Sequence, residues 1–516
     1  MDNETNFRRL TSSVDISTES GADYILPDYS GDIRKILYTE CKVRPAGKFP
    51  DGGSVAFSGV VVYSVVYLDA EGKLSSASFT SDYEMSAKRS EEASEECYAA
   101  PRVASYTIRS VGPRKLSGKA TVSSSVKVTA SEALAACGSA FEHDARPEMA
   151  ERVLKMQNIL ESEGTEREYA ESLAMLEGAI ADDVNVLHSG AEVSFDSAEA
   201  VEDGARVAGE LRLWAVIENG DDPIYVIQKT IPIAETVPFP DVNAGMRFYP
   251  IADVVSLVSN VRADEAGSEV VLSAIIEYRV FGEYNEEIRA IKDAYLKNAK
   301  TENEYKDYRY SELVDLFRAQ ESVSFEAPRS ELSSEVIREI VYLDAEPKIE
   351  SAVCEGGAVS LSGEMKFSGI ATEITEEGGV AYSPIRLSLP FSKAFKCSSA
   401  REEHAAECNL SCSRCGAVID GERVEISCSL EGVITVSDRK SERILSSSNV
   451  IDDELNEHPG RVTVYYPEPG ETLFSVAKKF HASVEKVALD NALDVETASS
   501  GDSDIALGGV KKLLIY

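Results

Sequence analysis

The chain has 516 residues, of which 89 are Asp or Glu and 52 are Lys or Arg, so its net charge is −37. A charge of this sign and size argues against non-specific nucleic-acid binding and against charge-driven docking on anionic lipid. Hydrophobic residues make up 43% of the chain, which is typical of globular proteins, and no apolar run approaches the roughly 18 residues of a membrane span. The polar N-terminus does not resemble a secretory signal. Because the nine cysteines are an odd number, we expect reduced thiols and a cytoplasmic location.

Alternating strands dominate the first part of the chain. Residues 54–67 form a long β-branched and aromatic run that predicts a strand. Gly59 interrupts this run, and we expect a β-bulge or the close approach of another backbone there. Residues 69–72 predict a turn, after which residues 73–81 return as a second strand.

A helical interval is predicted next. Apolar residues recur at helical spacing within 147–181, and Gly164 divides this segment into two short helices. We interpret residues 143–182 as a helical connector between β-rich units. A further charged helix is predicted over residues 286–304.

The strand that carries Gly59 recurs twice. Gly59, Gly209 and Gly363 each follow an alternating apolar run, at separations of about 150 residues. A second matching segment, called the anchor below, supports this alignment of the repeats. Residues 33–38 match residues 337–342, and each segment precedes its glycine by the same distance. The middle copy has only a weak candidate for this anchor, residues 184–187.

These patterns predict a mainly β chain with some α structure, built from tandem antiparallel β-rich domains and a small C-terminal domain. The predicted order is repeat 1, the helical connector, a diverged repeat 2, repeat 3, a polar linker and the terminal domain. Their bounds are 1–142, 143–182, 183–304, 305–448, 449–461 and 462–516.

The terminal domain predicts the order strand, helix, helix, strand. Residues 462–466 form a β-branched and aromatic run that Pro467 ends. Thr472 is a plausible N-cap for a first helix and Ser483 for a second, while residues 512–515 predict a closing strand.

With these motifs the terminal domain resembles the LysM family, which has a βααβ fold and binds N-acetylglucosamine glycans such as peptidoglycan or, in some proteins, docks on another protein. The resemblance implies a binding groove between two loops. The matching residues are Pro469, Gly470, Glu471, Thr472, Leu473 and Phe474 in the first loop and Asn491, Ala492 and Leu493 in the second. An acidic run at 498–504 and Glu471, where Asp is usual, favour a protein ligand, and a glycan remains the alternative.

The repeats resemble the SPOCS family, formerly DUF3794, of endospore-forming bacteria. The resemblance rests on residues 26–29, 32–37 and 63–72. Tandem SPOCS domains followed by one LysM domain are similar to spore-coat morphogenetic proteins. This implies a non-enzymatic scaffold at the forespore surface in the mother-cell cytoplasm, whose partners are a coat morphogenetic ATPase and other coat proteins.

One cysteine cluster has the spacing of a metal or iron–sulfur motif. Cys408, Cys412 and Cys415 have the spacing of a radical-SAM motif, and Cys397 and Cys428 could complete a zinc site. The interpretation we favour is buried thiols in a sheet core. No nucleophile elbow, phosphate-binding loop or zinc-protease motif occurs, so we expect no catalytic site, no resident metal and no cofactor.

Overall fold

The computed structural model describes residues 5–51, 53–88, 94–134, 147–220, 222–239, 242, 245–332, 337–374, 379–452, 462–493 and 505–516. This part of the chain is mainly β, with a few short helices, which confirms the predicted fold class. Its strands form several small sheets, and all strand pairs are antiparallel.

The first repeat, residues 5–134, contains two facing sheets. In one sheet the central strand is β3, which pairs with β2 and β4. In the other sheet the central strand is β7, which pairs with β1, β5 and β6. Tyr63 and Tyr67 of the first sheet pack with Leu116 and Val122 of the second in one buried core. The strands are β1 (Thr5–Ile25), β2 (Ile33–Asp51), β3 (Ser54–Asp69), β4 (Leu74–Lys88), β5 (Ser94–Tyr98), β6 (Arg102–Gly112) and β7 (Lys115–Leu134).

The second repeat, residues 148–295, has the same plan. One sheet has the order β10-β11-β12, and the other is built on the long strand β14, which pairs with β8, β9 and β13. Its elements are β8 (Glu148–Glu161), β9 (Thr165–Glu177), a 3-10 turn (Ala181–Asp183), β10 (Val184–Val201), β11 (Gly204–Asn219), β12 (Tyr225–Pro238), β13 (Arg247–Asp264) and β14 (Gly267–Tyr295).

The third repeat, residues 300–452, repeats the plan again. One sheet has the order β16-β17-β18, and the other has the order β15-β20-β19. Its elements are β15 (Lys300–Pro328), α1 (Arg329–Leu332), β16 (Ile337–Glu355), β17 (Ala358–Ile374), β18 (Val380–Lys396), β19 (Ala405–Asp420) and β20 (Arg423–Asp452).

The three recurring glycines occupy equivalent places in the central strands β3, β11 and β17. Gly59, Gly209 and Gly363 each pair with a residue beside a β-bulge. A Cβ on any of them would lie within 2.4 Å of a carbonyl oxygen of the neighbouring strand. The predicted bulge and close backbone approach are therefore confirmed, and they explain why glycine recurs.

The weak anchor of repeat 2 is a true copy that is one residue shorter. Repeats 1 and 3 have an extra bulge at the start of the anchor, after Ile33 and after Ile337, and the strand that begins at Val184 lacks it. The next bulge is shared by all three copies and brings Tyr38, His188 and Tyr342 into equivalent positions.

The predicted helices over 147–181 and 286–304 are wrong, because these residues form β8, β9, the end of β14 and the start of β15. Glu148 pairs with Tyr295 and Glu161 with Phe281, while β9 pairs with the first half of β14. These partners lie 90 or more residues away, and pairing with them overrides the local helix preference. The predicted connector is thus the opening of repeat 2. Residues 449–452 of the predicted linker end β20, and 453–461 lie outside the described residues.

The C-terminal residues 462–516, called the terminal unit below, have the predicted strand–helix–helix–strand order. The elements are β21 (Thr463–Tyr465), α2 (Leu473–Lys479), α3 (Val484–Asp490) and β22 (Leu513–Ile515). Thr472 caps α2 through a capping box with Ser475, as predicted for the N-cap, whereas Ser483 caps α3 without a side-chain hydrogen bond. The acidic run at 498–504 lies outside the described residues.

Candidate functional site

The first loop of the terminal unit is braced by its own hydrogen bonds. The Glu471 carboxylate accepts from Tyr465 Oη at 2.8 Å and from the backbone N–H of Glu468 at 2.9 Å. These two hydrogen bonds, the backbone one first, hold the pKa of Glu471 below its ordinary value. Leu473 N–H donates to Ile505, and Leu507 N–H donates to Glu471. The polar groups of this loop therefore mainly hold the loop together.

The predicted binding residues divide into exposed and structural groups. Pro469, Gly470 and Ala492 are exposed, whereas Leu473 and Phe474 belong to the buried core of the terminal unit. The Asn491 side chain donates to Val487 and Leu514 and accepts from Leu514 N–H, so it ties the end of α3 to β22. Leu493 packs against the same core, and Thr472 is the helix cap.

Phe474 and its neighbours attach the terminal unit to repeat 2. The Phe474 ring meets Tyr295 edge-on at 5.3 Å, and Tyr295 Oη donates to Ala482 O at 2.6 Å. Lys478 pairs with Asp293 at 2.6 Å, and His481 Nδ1 lies 2.8 Å from Leu296 O. A residue that the family resemblance assigns to ligand binding is therefore used in a contact within the chain.

The terminal unit also has an apolar surface in solvent. Thr463 pairs with Ile515 and Val464 with Leu514, so alternate residues of β21 and β22 share one outer face. Val464 of this face is about half exposed, and the residues that continue the alternation just beyond the strand ends are exposed too: Val462 is about half, Tyr466 68% and Tyr516 57% exposed. We call these four residues the outer sheet face.

A second candidate site lies where the three repeats meet. The rings of Tyr38, His188 and Tyr342, which occupy equivalent positions, contact one another at centroid distances of 5.1, 5.1 and 5.6 Å. Residues of all three repeats bury this cluster. Because consecutive inward positions are two residues apart on a strand, the next equivalent position holds Glu40, Gly190 and Asp344.

A cavity of about 950 Å³ extends from this cluster along the strands, and we call it the axial cavity. The buried side chains His188, Trp214 and Tyr342 are among its lining residues, and we call this buried part of the cavity its closed end. Although Asp and Glu far outnumber Lys and Arg in the chain, seven basic and five acidic residues line this cavity. They are Lys42, Arg44, Arg102, Arg212, Lys348, Lys366 and Arg414, and Glu40, Glu192, Asp253, Asp344 and Glu346.

The carboxylates near the closed end differ in their partners. Glu40 pairs with Lys42 at 2.7 Å and Glu192 with Arg212 at 3.2 Å. Asp344 accepts hydrogen bonds from Ala345 N–H at 3.0 Å and Tyr38 Oη at 3.4 Å, and in the described part of the chain it has no ion pair.

The pKa values follow from burial and from these pairs. Burial and then the nearby Glu40 charge raise the pKa of Asp344 to about 6. Burial raises the pKa of Glu192 to about 7, although Arg212 opposes the change. Burial opposes ionisation of Glu40 too, but the charge and the hydrogen bond of Lys42 oppose this effect, and the pKa of Glu40 is lowered. Burial lowers the pKa of His188, which favours its neutral form.

Three polar atoms at the closed end are buried without a hydrogen-bond partner among the described residues: His188 Nε2, Arg212 Nε and Trp214 Nε1. His188 Nε2 lies 3.9 Å from Glu40, which is too long for a hydrogen bond. Trp214 Nε1 approaches the Tyr342 hydroxyl without reaching hydrogen-bond geometry. Buried polar atoms without a partner are costly, and three of them on side chains that line one cavity mark a candidate binding site.

The sequence patterns did not reveal this site. The match between residues 33–38 and 337–342 did pair Tyr38 with Tyr342. However, His188 joins them only after the one-residue gap at the start of β10 is recognised. Asp344 and Glu192 were among many acidic residues with nothing local to distinguish them.

The predicted cysteine cluster is only partly brought together: Cys412 and Cys415 both lie beside Cys428, whereas Cys397 has other neighbours. Cys412 Sγ lies 3.8 Å from Cys428 Sγ and 3.4 Å from Met365 Sδ, whereas Cys397 Sγ lies near Asp315 and Ser399. Burial raises the pKa of Cys408 to about 12. Within the described residues, no group of three or more His, Cys, Asp or Glu side chains is arranged to hold a metal ion.

Comparisons with protein families, with curated proteins and with solved structures return no match for this chain. In the part of the chain that the structure describes, no helix combines the length and the apolar character needed to span a membrane.

Proposed function

We propose that the chain is a non-enzymatic scaffold of spore-coat assembly, and that its terminal unit is a LysM domain that docks on a coat morphogenetic ATPase. The sequence resemblance to SPOCS and LysM families supplies the identity of this role. Three sandwich repeats with the terminal unit attached to the second one supply a platform that suits it, since several weak contacts on one chain add up to a strong one.

The outer sheet face is the observation that favours a protein ligand over a glycan ligand. Tyr466 and Tyr516 expose large aromatic surfaces beside Val462 and Val464, and aromatic residues are enriched at protein interfaces. The first loop, in contrast, uses the Glu471 carboxylate and the N–H of Leu473 in contacts within the terminal unit. This leaves fewer polar groups for the hydroxyls and amides of a sugar.

Calorimetry on the full chain tests the proposal. The ligands are the purified coat ATPase of the same organism and, separately, chito-oligosaccharide and peptidoglycan fragments. We expect the ATPase to bind and Tyr466→Ser to weaken its binding at least tenfold, because truncating an interface aromatic costs about 2 kcal/mol or more. Tyr29→Ser is the matched control, since Tyr29 is an exposed tyrosine of repeat 1.

The alternative function is binding of an N-acetylglucosamine glycan such as peptidoglycan through the exposed loop residues Pro469, Gly470 and Ala492. Heat with the glycan fragments and none with the ATPase would replace the proposal with this alternative. Equal ATPase binding by the Tyr466→Ser and Tyr29→Ser variants would show that the outer sheet face is not the docking surface.

A further inference from the structure

The axial cavity has the size and the composition of a small-molecule site. Its volume of about 950 Å³ is within the range of pockets that enclose metabolite-sized ligands. Strands of all three repeats form its wall, so the ligand would touch each repeat. Nothing in the proposed scaffold role uses this cavity, so ligand binding here is independent of that role.

One part of the closed end needs a hydrogen-bond acceptor. Trp214 Nε1 and Arg212 Nε are donor-only atoms, and both are buried without a partner among the described residues. The Arg212 guanidinium also lies 4.9 Å from the Trp214 ring, so the two donors are on neighbouring side chains. Because one of them is cationic, the best complement is an anionic oxygen, and a carboxylate satisfies both.

A neighbouring part of the closed end needs a cation. Asp344 has no ion pair in the described part of the chain, and Lys42, which pairs with Glu40 at 2.7 Å, also lies in the field of Asp344 and Glu192. Desolvated carboxylates without a partner are costly. An ammonium group between Asp344 and Glu40 would supply the missing charge and donate up to three hydrogen bonds.

The unpartnered donors of Arg212 and Trp214 and the carboxylates of Asp344 and Glu40 are about one inward strand position apart. Trp214 fills the place over Gly190, which is equivalent to Glu40 and Asp344, and Arg212 lies one inward position further along. Successive inward positions on a strand are separated by roughly 7 Å. A molecule that carries an ammonium and a carboxylate a few bonds apart can reach both groups at once.

We propose that the axial cavity binds a small zwitterion, an amino acid or short peptide, with its ammonium group on Asp344 and Glu40 and its carboxylate on Arg212 and Trp214 Nε1. A diamine leaves the two donors without an acceptor, and a dicarboxylate meets the charge of Asp344. The excess of basic residues along the cavity offsets the strong negative charge of the chain, which otherwise repels a carboxylate.

Trp214 provides the measurement, because it is the only tryptophan of the chain and lines the cavity. The full-length chain is titrated with L-alanine and L-alanyl-L-alanine while Trp214 emission is followed, and calorimetry gives the affinity. N-acetyl-L-alanine lacks the ammonium and ethylamine lacks the carboxylate. We expect at least one zwitterion to change the emission, and both analogues to bind at least tenfold more weakly, because a charge-assisted hydrogen bond contributes about 1.5–3 kcal/mol.

Two variants locate the ligand. Asp344→Asn keeps the shape of the side chain and removes its charge, and Trp214→Phe removes the Nε1–H donor. Both are expected to lower zwitterion affinity by calorimetry, whereas Asp420→Asn, at an exposed residue that ends β19 in repeat 3, is expected to leave it unchanged. Circular dichroism checks that each variant is folded.

The proposal fails if neither zwitterion binds the folded wild-type chain. It also fails if ethylamine or N-acetyl-L-alanine binds as tightly as the zwitterions, or if folded Asp344→Asn and Trp214→Phe both keep the wild-type affinity, since the ligand would then lie elsewhere. None of these results depends on whether the coat ATPase binds.

Discussion

Gly190 and Trp214 face each other across β10 and β11, and the indole occupies the space that a side chain on Gly190 would need. A Cβ at position 190 would lie 2.0 Å from Trp214 Cζ2. The equivalent pairs are Glu40 with Ser64 in repeat 1 and Asp344 with Ser368 in repeat 3. In repeats 1 and 3 the larger residue of the pair lies on the first strand of the sheet, whereas in repeat 2 it lies on the central strand. This exchange keeps the wall of the axial cavity filled.

The first prediction concerns this exchange. Gly190→Ala should lower the free energy of unfolding by about 1–3 kcal/mol, because overpacking a filled site forces side chains and backbone to move. Gly416→Ala is the control, since no atom lies within 4 Å of its added Cβ. Urea unfolding followed by circular dichroism measures both. Similar values for the two variants would show that the indole moves aside freely.

Strands whose burial alternates along the chain could be predicted from sequence. The central strands around Gly59, Gly209 and Gly363 have an alternating pattern and a bulge at the glycine, and both features come from contacts between adjacent strands. The segment that forms β8 and β9 carries residues with a high helix preference, and only the distant strand β14 makes it extended. The local sequence pattern does not reveal a pairing strand that lies so far along the chain.

The two candidate sites also differ in how far the local sequence predicts them. The terminal unit is short, so its helix caps and apolar faces lie within a few residues of one another, and the order of its elements could be predicted. The axial cavity collects single residues such as Tyr38, His188 and Asp344 from three separate repeats. Its chemistry exists only after the repeats have packed.

The second prediction compares the two helix caps of the terminal unit. Thr472→Ala removes the hydrogen bond from Ser475 N–H to the Thr472 hydroxyl and should cost about 1 kcal/mol. Ser483→Ala should have a smaller effect, because Ser483 makes no side-chain cap hydrogen bond. Hydrogen exchange of amides in α2 and α3 measures the local stability in each variant. Equal losses in the two variants would contradict the assigned capping box.

The third prediction concerns the attachment of the terminal unit to repeat 2. The Asp293 carboxylate accepts from Lys478 Nζ at 2.6 Å and from Tyr305 Oη at 2.7 Å. Asp293→Ala should destabilise this contact by about 1–3 kcal/mol, because it leaves a partly buried ammonium and a hydroxyl without their acceptor. Faster hydrogen exchange in α2 would report the loss.

Glu287→Gln is the matched control for Asp293→Ala. Glu287 pairs with Lys155 on the surface of the same repeat, and both side chains are at least half exposed, so the pair contributes little. If exchange in α2 is as fast in this control as in Asp293→Ala, the change does not come from the Lys478 contact.

The axial cavity also predicts how stability depends on pH. Burial raises the pKa of Glu192 to about 7 and of Asp344 to about 6, so the folded chain holds protons that the unfolded chain loses near pH 4. The folded state then binds more protons over this interval, and these two groups make stability fall as pH rises. His188 acts in the opposite direction, because its pKa is lowered by burial and its contribution is lost as pH falls below about 6.5.

The fourth prediction isolates the two carboxyl groups from the rest of the chain. The double variant Glu192→Gln, Asp344→Asn should gain stability relative to wild type as pH rises from 4.5 to 7.5, by on the order of 2 kcal/mol. The amides resemble protonated carboxyls, so the difference is small at pH 4.5 and grows as the wild-type groups ionise. Urea unfolding across this range gives the difference, and Asp420→Asn, an exposed carboxyl, should show none of this trend. A difference that is constant with pH would mean that both carboxyls are already ionised in the folded chain at pH 4.5.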